Sequence, residues 1–166
     1  MKVNRITSVL SGLFSLLMLL PIPSEGDSKK SKQRDAAKSR DVESFIAQGL
    51  SYEVRGCPQK ALMQYQMAVR LYPNDFYGHL FLGQILYEQN RVTAAIQEMQ
   101  SVVRLKPDYA LEHLRLGNAL NLTGHQTEAR REWQTVLTLE NNDSTEEAQK
   151  MLKMFPPPAK KQRTSL

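Results

Sequence analysis

From Val42 to Phe155 the apolar residues recur at helical spacing, in blocks of about a dozen residues that each end at a breaker. The breakers are Arg55-Gly56-Cys57-Pro58, Gln89-Asn90-Arg91 and Thr123-Gly124-His125, and each divides a pair of blocks. The pattern therefore predicts helical hairpins, one after another. They are copies of one unit. Shifting the chain by 34 residues brings Gly49 onto Gly83 and Gly117, Ala61 onto Ala95 and Ala129, Tyr65 onto Met99 and Trp133, and Pro73 onto Pro107. The copies run over 42–75, 76–109 and 110–143. A last amphipathic helix is expected over 144–155, started by a capping box of Ser144 and Glu147 and carrying Ala148, Met151, Leu152 and Phe155 on its apolar face. Such a helix suits the open end of a stack, which would otherwise leave its apolar face in water.

A glycine inside a helix costs about 1 kcal/mol against alanine, so Gly49, Gly83 and Gly117 need a compensating gain. Close approach of the two helices of a hairpin supplies one. The expectation is that each glycine faces Ala61, Ala95 or Ala129, with Tyr52, Leu86, Leu120 and Tyr65, Met99, Trp133 filling the flanks. Pro73 and Pro107 lack a backbone N–H and end the second helix, and Asn74-Asp75 and Asp108 offer starts for the next. Position 141 is Asn, so the third copy ends differently.

The period of 34, the aromatic-x-x-x-Gly-x-x-(Tyr or Leu) run, the Ala-x-x-x-aromatic run and the closing proline together resemble the tetratricopeptide repeat. Two positions depart from it: the usual tryptophan of the first helix is Phe45, His79 and His113, and the leucine three residues later is Gln48 in the first copy. The resemblance implies an all-α, right-handed superhelical solenoid of three helix-turn-helix hairpins plus the capping helix. It also implies a concave groove lined by first-helix residues at repeat positions two, five, nine and twelve. These are Glu43, Ile46, Leu50 and Glu53, then Tyr77, Leu80, Gln84 and Tyr87, then Leu111, Leu114, Asn118 and Asn121. The stripe holds no Lys or Arg, so the carboxylate clamp by which some relatives hold chaperone tails is not expected. Its aliphatic and tyrosine surface, with scattered amides, suits an apolar or amphipathic segment of a protein or peptide. Tyr77, Tyr87, Leu114 and Asn118 are the favoured contacts, whereas Ile46 and Leu80 are the side chains that internal packing would claim first. The alternative reading is a self-associating structural solenoid, a homo-oligomer.

The formal charge of +5 is unevenly spread. Residues 42–155 carry a net −2, residues 1–41 a net +4 and the tail from Pro156 a net +3. A nucleic-acid-binding fold would gather basic charge on a folded face, so nucleic acid is not an expected partner. The basic ends could at most rest weakly on an anionic membrane surface. Residues 27–41 are polar and predict a disordered basic linker, and 156–166 a proline-stiffened basic tail. Residues 1–26 read as an export signal: Lys2 and Arg5, an uncharged run from Ile6 to Leu20, then Pro21-Ile22-Pro23 and small residues at Ser24 and Gly26. At about 1.5 Å per residue the run covers some 22 Å of a roughly 30 Å hydrocarbon layer, which favours a cleaved signal, and a periplasmic or secreted protein, over a membrane anchor. Cys57 is the single cysteine, and His79 and His113 fall at equivalent places where packing at the helix interface outweighs metal binding. No nucleophile elbow, phosphate loop or metalloprotease motif occurs, and neither an enzyme nor a cofactor is expected.

Overall fold

The structure, a computed structural model, describes residues 25–139 and 143–157, with side chains from Arg40 onward. Among these residues every regular element is an α-helix: α1 (Glu25–Val54), α2 (Pro58–Leu71), α3 (Phe76–Glu88), α4 (Val92–Leu105), α5 (Ala110–Leu122), α6 (Gln126–Thr138) and α7 (Thr145–Met154). This is an all-α helical-repeat solenoid, as the period predicts. The chain divides into two compact units, residues 1–39 and 40–166. Of the first, the described part is the helical stretch that opens α1. Residues 27–41 are therefore helical where composition predicted disorder. From Asp27 to Gln48 there is no glycine or proline, and the Lys, Arg, Gln and Ala side chains lose little in a helix, so the turn anchored at Val42 and Ile46 propagates toward the N-terminus. The export signal lies outside the described residues as far as Ser24, and the tail does so from Pro158. No described helix is long and apolar enough to cross a membrane.

In the second unit α3 packs on α4 and α5 on α6 as hairpins, α2 meets α3 and α4 meets α5 between hairpins, and α7 covers α6. The bends share one conformation. Gly56, Asn90 and Gly124, each 34 residues apart, have φ of +69°, +59° and +83°, a left-handed state that glycine enters freely and asparagine tolerates. Helix starts are less uniform. Asp75 accepts a hydrogen bond from the Gly78 N–H at 3.0 Å, but the matching cap of α5 is Tyr109 rather than Asp108, and no side-chain cap bond forms there. Nor does the capping box form at α7: Ser144 makes no cap bond, and Glu147 instead accepts from Asn118 Nδ2 at 3.5 Å.

Gly83 and Gly117 face the Ala95 and Ala129 carbonyls as expected, and at Gly49 and Gly117 an aromatic ring comes closer still. A Cβ on Gly49 would stand less than 3.0 Å from the ring of Tyr65, and one on Gly117 would stand 2.6 Å from Trp133 Cδ1 and 3.1 Å from the Ala129 carbonyl oxygen. The missing side chain is thus room for an aromatic ring, and Tyr65 and Trp133 are fully buried in it. In the middle copy Met99 replaces the ring, and a Cβ on Gly83 would meet nothing closer than Glu98 Cβ at 3.3 Å. At the far end Ala148 is buried, Phe155 lies 5.8 Å from Trp133 between ring centroids, and Met151 and Leu152 pack on the same core. Arg130 Nη1 donates to the Leu152 carbonyl at 3.0 Å and also to that of Phe155, satisfying the open carbonyls of α7.

Candidate functional site

Two groups of polar side chains stand out, each built around buried members: His79 and His113 in the first, Glu112 in the second. The first is a pair of seams inside hairpins. His79 on α3 donates from Nε2 to the Pro73 carbonyl at 2.8 Å and from Nδ1 to Glu98 Oε2 on α4 at 2.6 Å. A carbonyl only accepts, so Nε2 carries a proton, and the ionised carboxylate favours a second on Nδ1. The Glu98 bond accordingly raises the His79 pKa, against burial, which lowers it. His113 repeats the arrangement, with Glu132 at 2.7 Å and the Pro107 carbonyl at 3.0 Å. The proline that ends one hairpin thus supplies an acceptor to the histidine that opens the next. The partners were visible in the sequence: Glu98 and Glu132 are 34 apart, and in the first copy, where Phe45 replaces histidine, the matching residue is Gln64. Among the described residues no group of three or more His, Cys, Asp and Glu is placed to hold a metal ion.

The second set lines a cleft of about 280 Å³ between α3 and α5, floored by Met99 of α4. Its walls are Gln84, Tyr87 and Glu88 from α3 and Glu112, Arg115 and Asn118 from α5. Three residues predicted for the groove, Gln84, Tyr87 and Asn118, are therefore brought together. Tyr77, 55% exposed, and Leu111, 37% exposed, are open to solvent but do not line the cleft, and neither do the half-buried Leu80 and Asn121. Leu114, only 4% exposed, belongs to the core cluster and does not line the cleft. The reason is local: α5 is packed by α4 on one side and α6 on the other, and most of its residues are buried. Asn118 is engaged internally as well, its Oδ1 accepting from Trp133 Nε1 at 3.0 Å.

Glu112 was not anticipated. It is 2% exposed, at the repeat position of Gly78 and Ser44, and a charged residue without a charged counterpart in the other copies reads as surface. Its Oε2 is buried with no hydrogen-bond partner, and the nearest cation, Arg115 Nη1, stands 3.7 Å away, too far for a hydrogen bond. Burial raises its pKa from 4.5 to about 6, with Arg115 and His113 pulling back. The protonated form is thus the one the fold prefers. That contribution is full below about pH 4.5 and is lost as the pH passes 6, so at neutrality the charged carboxylate costs the fold about 2 kcal/mol.

Comparison with known proteins supports the repeat reading. The tetratricopeptide repeat family matches residues 46–110. No curated protein matches the chain significantly. Among solved structures, the first TPR of Spaghetti (RPAP3) bound to the HSP90 peptide SRMEEVD superposes with a TM-score of 0.61 at 21% identity, covering 70% of this chain and 94% of that one. MamA gives 0.62 at 20% identity, covering 79% and 82%. The TPR2B domain of yeast Sti1, in its complex with pHsp70, gives 0.60 at 15% identity, covering 69% and 94%. At these identities the likeness is one of fold.

Proposed function

We propose that this chain, a helical-repeat solenoid matched by the tetratricopeptide family over residues 46–110, is a protein-interaction module that holds a peptide or partner-protein segment against the first helices of its hairpins. The observation that carries this is the cleft between α3 and α5, where Gln84, Tyr87 and Asn118 meet, on helices that also expose Tyr77 and Leu111. Of the solved neighbours of the same fold, the Spaghetti domain is bound to an HSP90 peptide and the Sti1 domain is in complex with pHsp70. The surface here offers tyrosine and aliphatic area for burial and a few polar groups for direction, as peptide grooves do. The uncharged run Ile6–Leu20 supports a place outside the cytoplasm, as an adaptor or assembly factor of an exported complex.

A photo-crosslinking residue at position 87 tests the reading, with one at the exposed Met63 of α2 as control. Partner crosslinks from 87 and not from 63, lost on Tyr77→Glu, are the expected result. Crosslinks from 63 alone would move the site off the groove. A crosslink from 87 to a second copy of the chain, with a dimer in light scattering, would favour the self-associating solenoid.

A further inference from the structure

The chemistry of the cleft selects a kind of partner residue. At about 280 Å³ it lies below the roughly 300–1,000 Å³ of pockets that enclose a whole small molecule, and it is of a size for one side chain. Its charges are two carboxylates, Glu88 and Glu112, and one cation, Arg115. They are not balanced in geometry. Glu88 accepts from Gln84 Nε2 at 3.0 Å, whereas Glu112 Oε2 has no donor, and Arg115 stops short of it. A buried carboxylate oxygen without a donor is costly, and such a defect is retained where something other than stability uses it. An anionic group entering the cleft would meet two carboxylates. A neutral donor would satisfy the geometry of Oε2 and leave the charge unmatched.

We infer that the cleft takes the ammonium or guanidinium group of a lysine or arginine on the bound segment, with Glu112 as its anchor and Glu88 as a second carboxylate. This rests on the groove being the binding face. The aliphatic stem of the incoming residue lies along Met99, and the ring of Tyr87 flanks its cation. A charge-assisted bond to Glu112 is made only when the ligand is present, so it adds to affinity without adding to the stability of the free protein.

The test uses the full chain, labelled with ¹⁵N, and four acetylated, amidated heptapeptides of Leu, Ala and Gly that differ only at the central residue: arginine, lysine, citrulline or glutamate. Titration is followed at the amides of Tyr87, Arg115 and Asn118. The arginine and lysine peptides should bind about tenfold or more tightly than the citrulline peptide, the ratio of the two reporting which cation fits better. Glu112→Gln should reduce both to the citrulline level while leaving the melting temperature unchanged or higher. Should that variant fail to fold, Glu88→Gln is expected to weaken the cationic peptides alone, by a smaller factor. Citrulline binding as tightly as arginine would overturn the inference and leave the groove in place, and so would tightest binding of the glutamate peptide, which would point to Arg115. If none of the four shifts a cleft amide, the groove reading falls together with the inference.

Discussion

The hairpin seams hold half-buried carboxylates and the cleft a fully buried one, and they treat them in opposite ways. In the seams Glu98 and Glu132 each meet a histidine whose other nitrogen is held by a proline carbonyl. In the cleft Glu112 is more deeply buried than either and has an oxygen with no donor. The seams are complete within the fold, and their polar groups set the register of first and second helices. The cleft is incomplete. The contrast separates a polar layer completed within the fold from one that leaves a buried oxygen without a donor.

The most damaging single change falls on the core that both regions rest on, where Trp133 backs the cleft residue Asn118. Trp133→Ala removes the ring that fills the space above Gly117 and leaves Asn118 Oδ1 without its donor, and should lower the unfolding free energy by about 3–5 kcal/mol in urea titration. Gly117→Ala, which forces a methyl against the same ring, should cost about 1–3 kcal/mol. His79→Leu strands Glu98 and should cost a similar 1–3 kcal/mol. Because the folded pKa of His79 is raised, its contribution is whole below its ordinary pKa of about 6.5 and disappears as the pH rises through the folded value. The gap between wild type and His79→Leu should therefore narrow on the alkaline side. A gap constant from about pH 6 to 10 would mean the histidine packs without its charge. The smallest effect belongs to Gly83→Ala. Its Cβ meets Glu98 Cβ at 3.3 Å and, at ordinary contact distance, the Ala95 carbonyl oxygen and Met99 Cγ at 3.7 Å, and the gain in helix propensity of about 1 kcal/mol should leave the melting temperature within a few degrees of wild type.

Much of this architecture was legible from the period alone, because helix boundaries, left-handed bends and large buried side chains recur at fixed offsets. The glycines are legible as sites of close approach, and Gly83 and Gly117 do face the Ala95 and Ala129 carbonyls, but only coordinates show that the rings of Tyr65 and Trp133 lie over Gly49 and Gly117. The His–Glu seams could have been read, since both members repeat together and are absent together from the first copy. The cleft was half legible. Gln84, Tyr87 and Asn118 fall on a helical stripe, but the burial of Leu114 depends on how α4 and α6 enclose α5, a tertiary property that a stripe does not encode. Glu112 was hidden for a similar reason. Charge predicts exposure unless a repeat places the residue at a packed position, and here the matching Gly78 of the second copy is buried.

The measurement that tests the contrast most directly is the unfolding free energy of Glu112→Gln against wild type as a function of pH. Glutamine is neutral throughout, so it stays close to the protonated form of Glu112 that the fold prefers. The two proteins should be about equally stable at pH 4.5 and below, and the variant should be the more stable by about 2 kcal/mol once the pH is well above 6. A pH-independent difference, or a variant less stable than wild type at neutrality, would show that Glu112 is satisfied within the fold and that the cleft is one more structural seam.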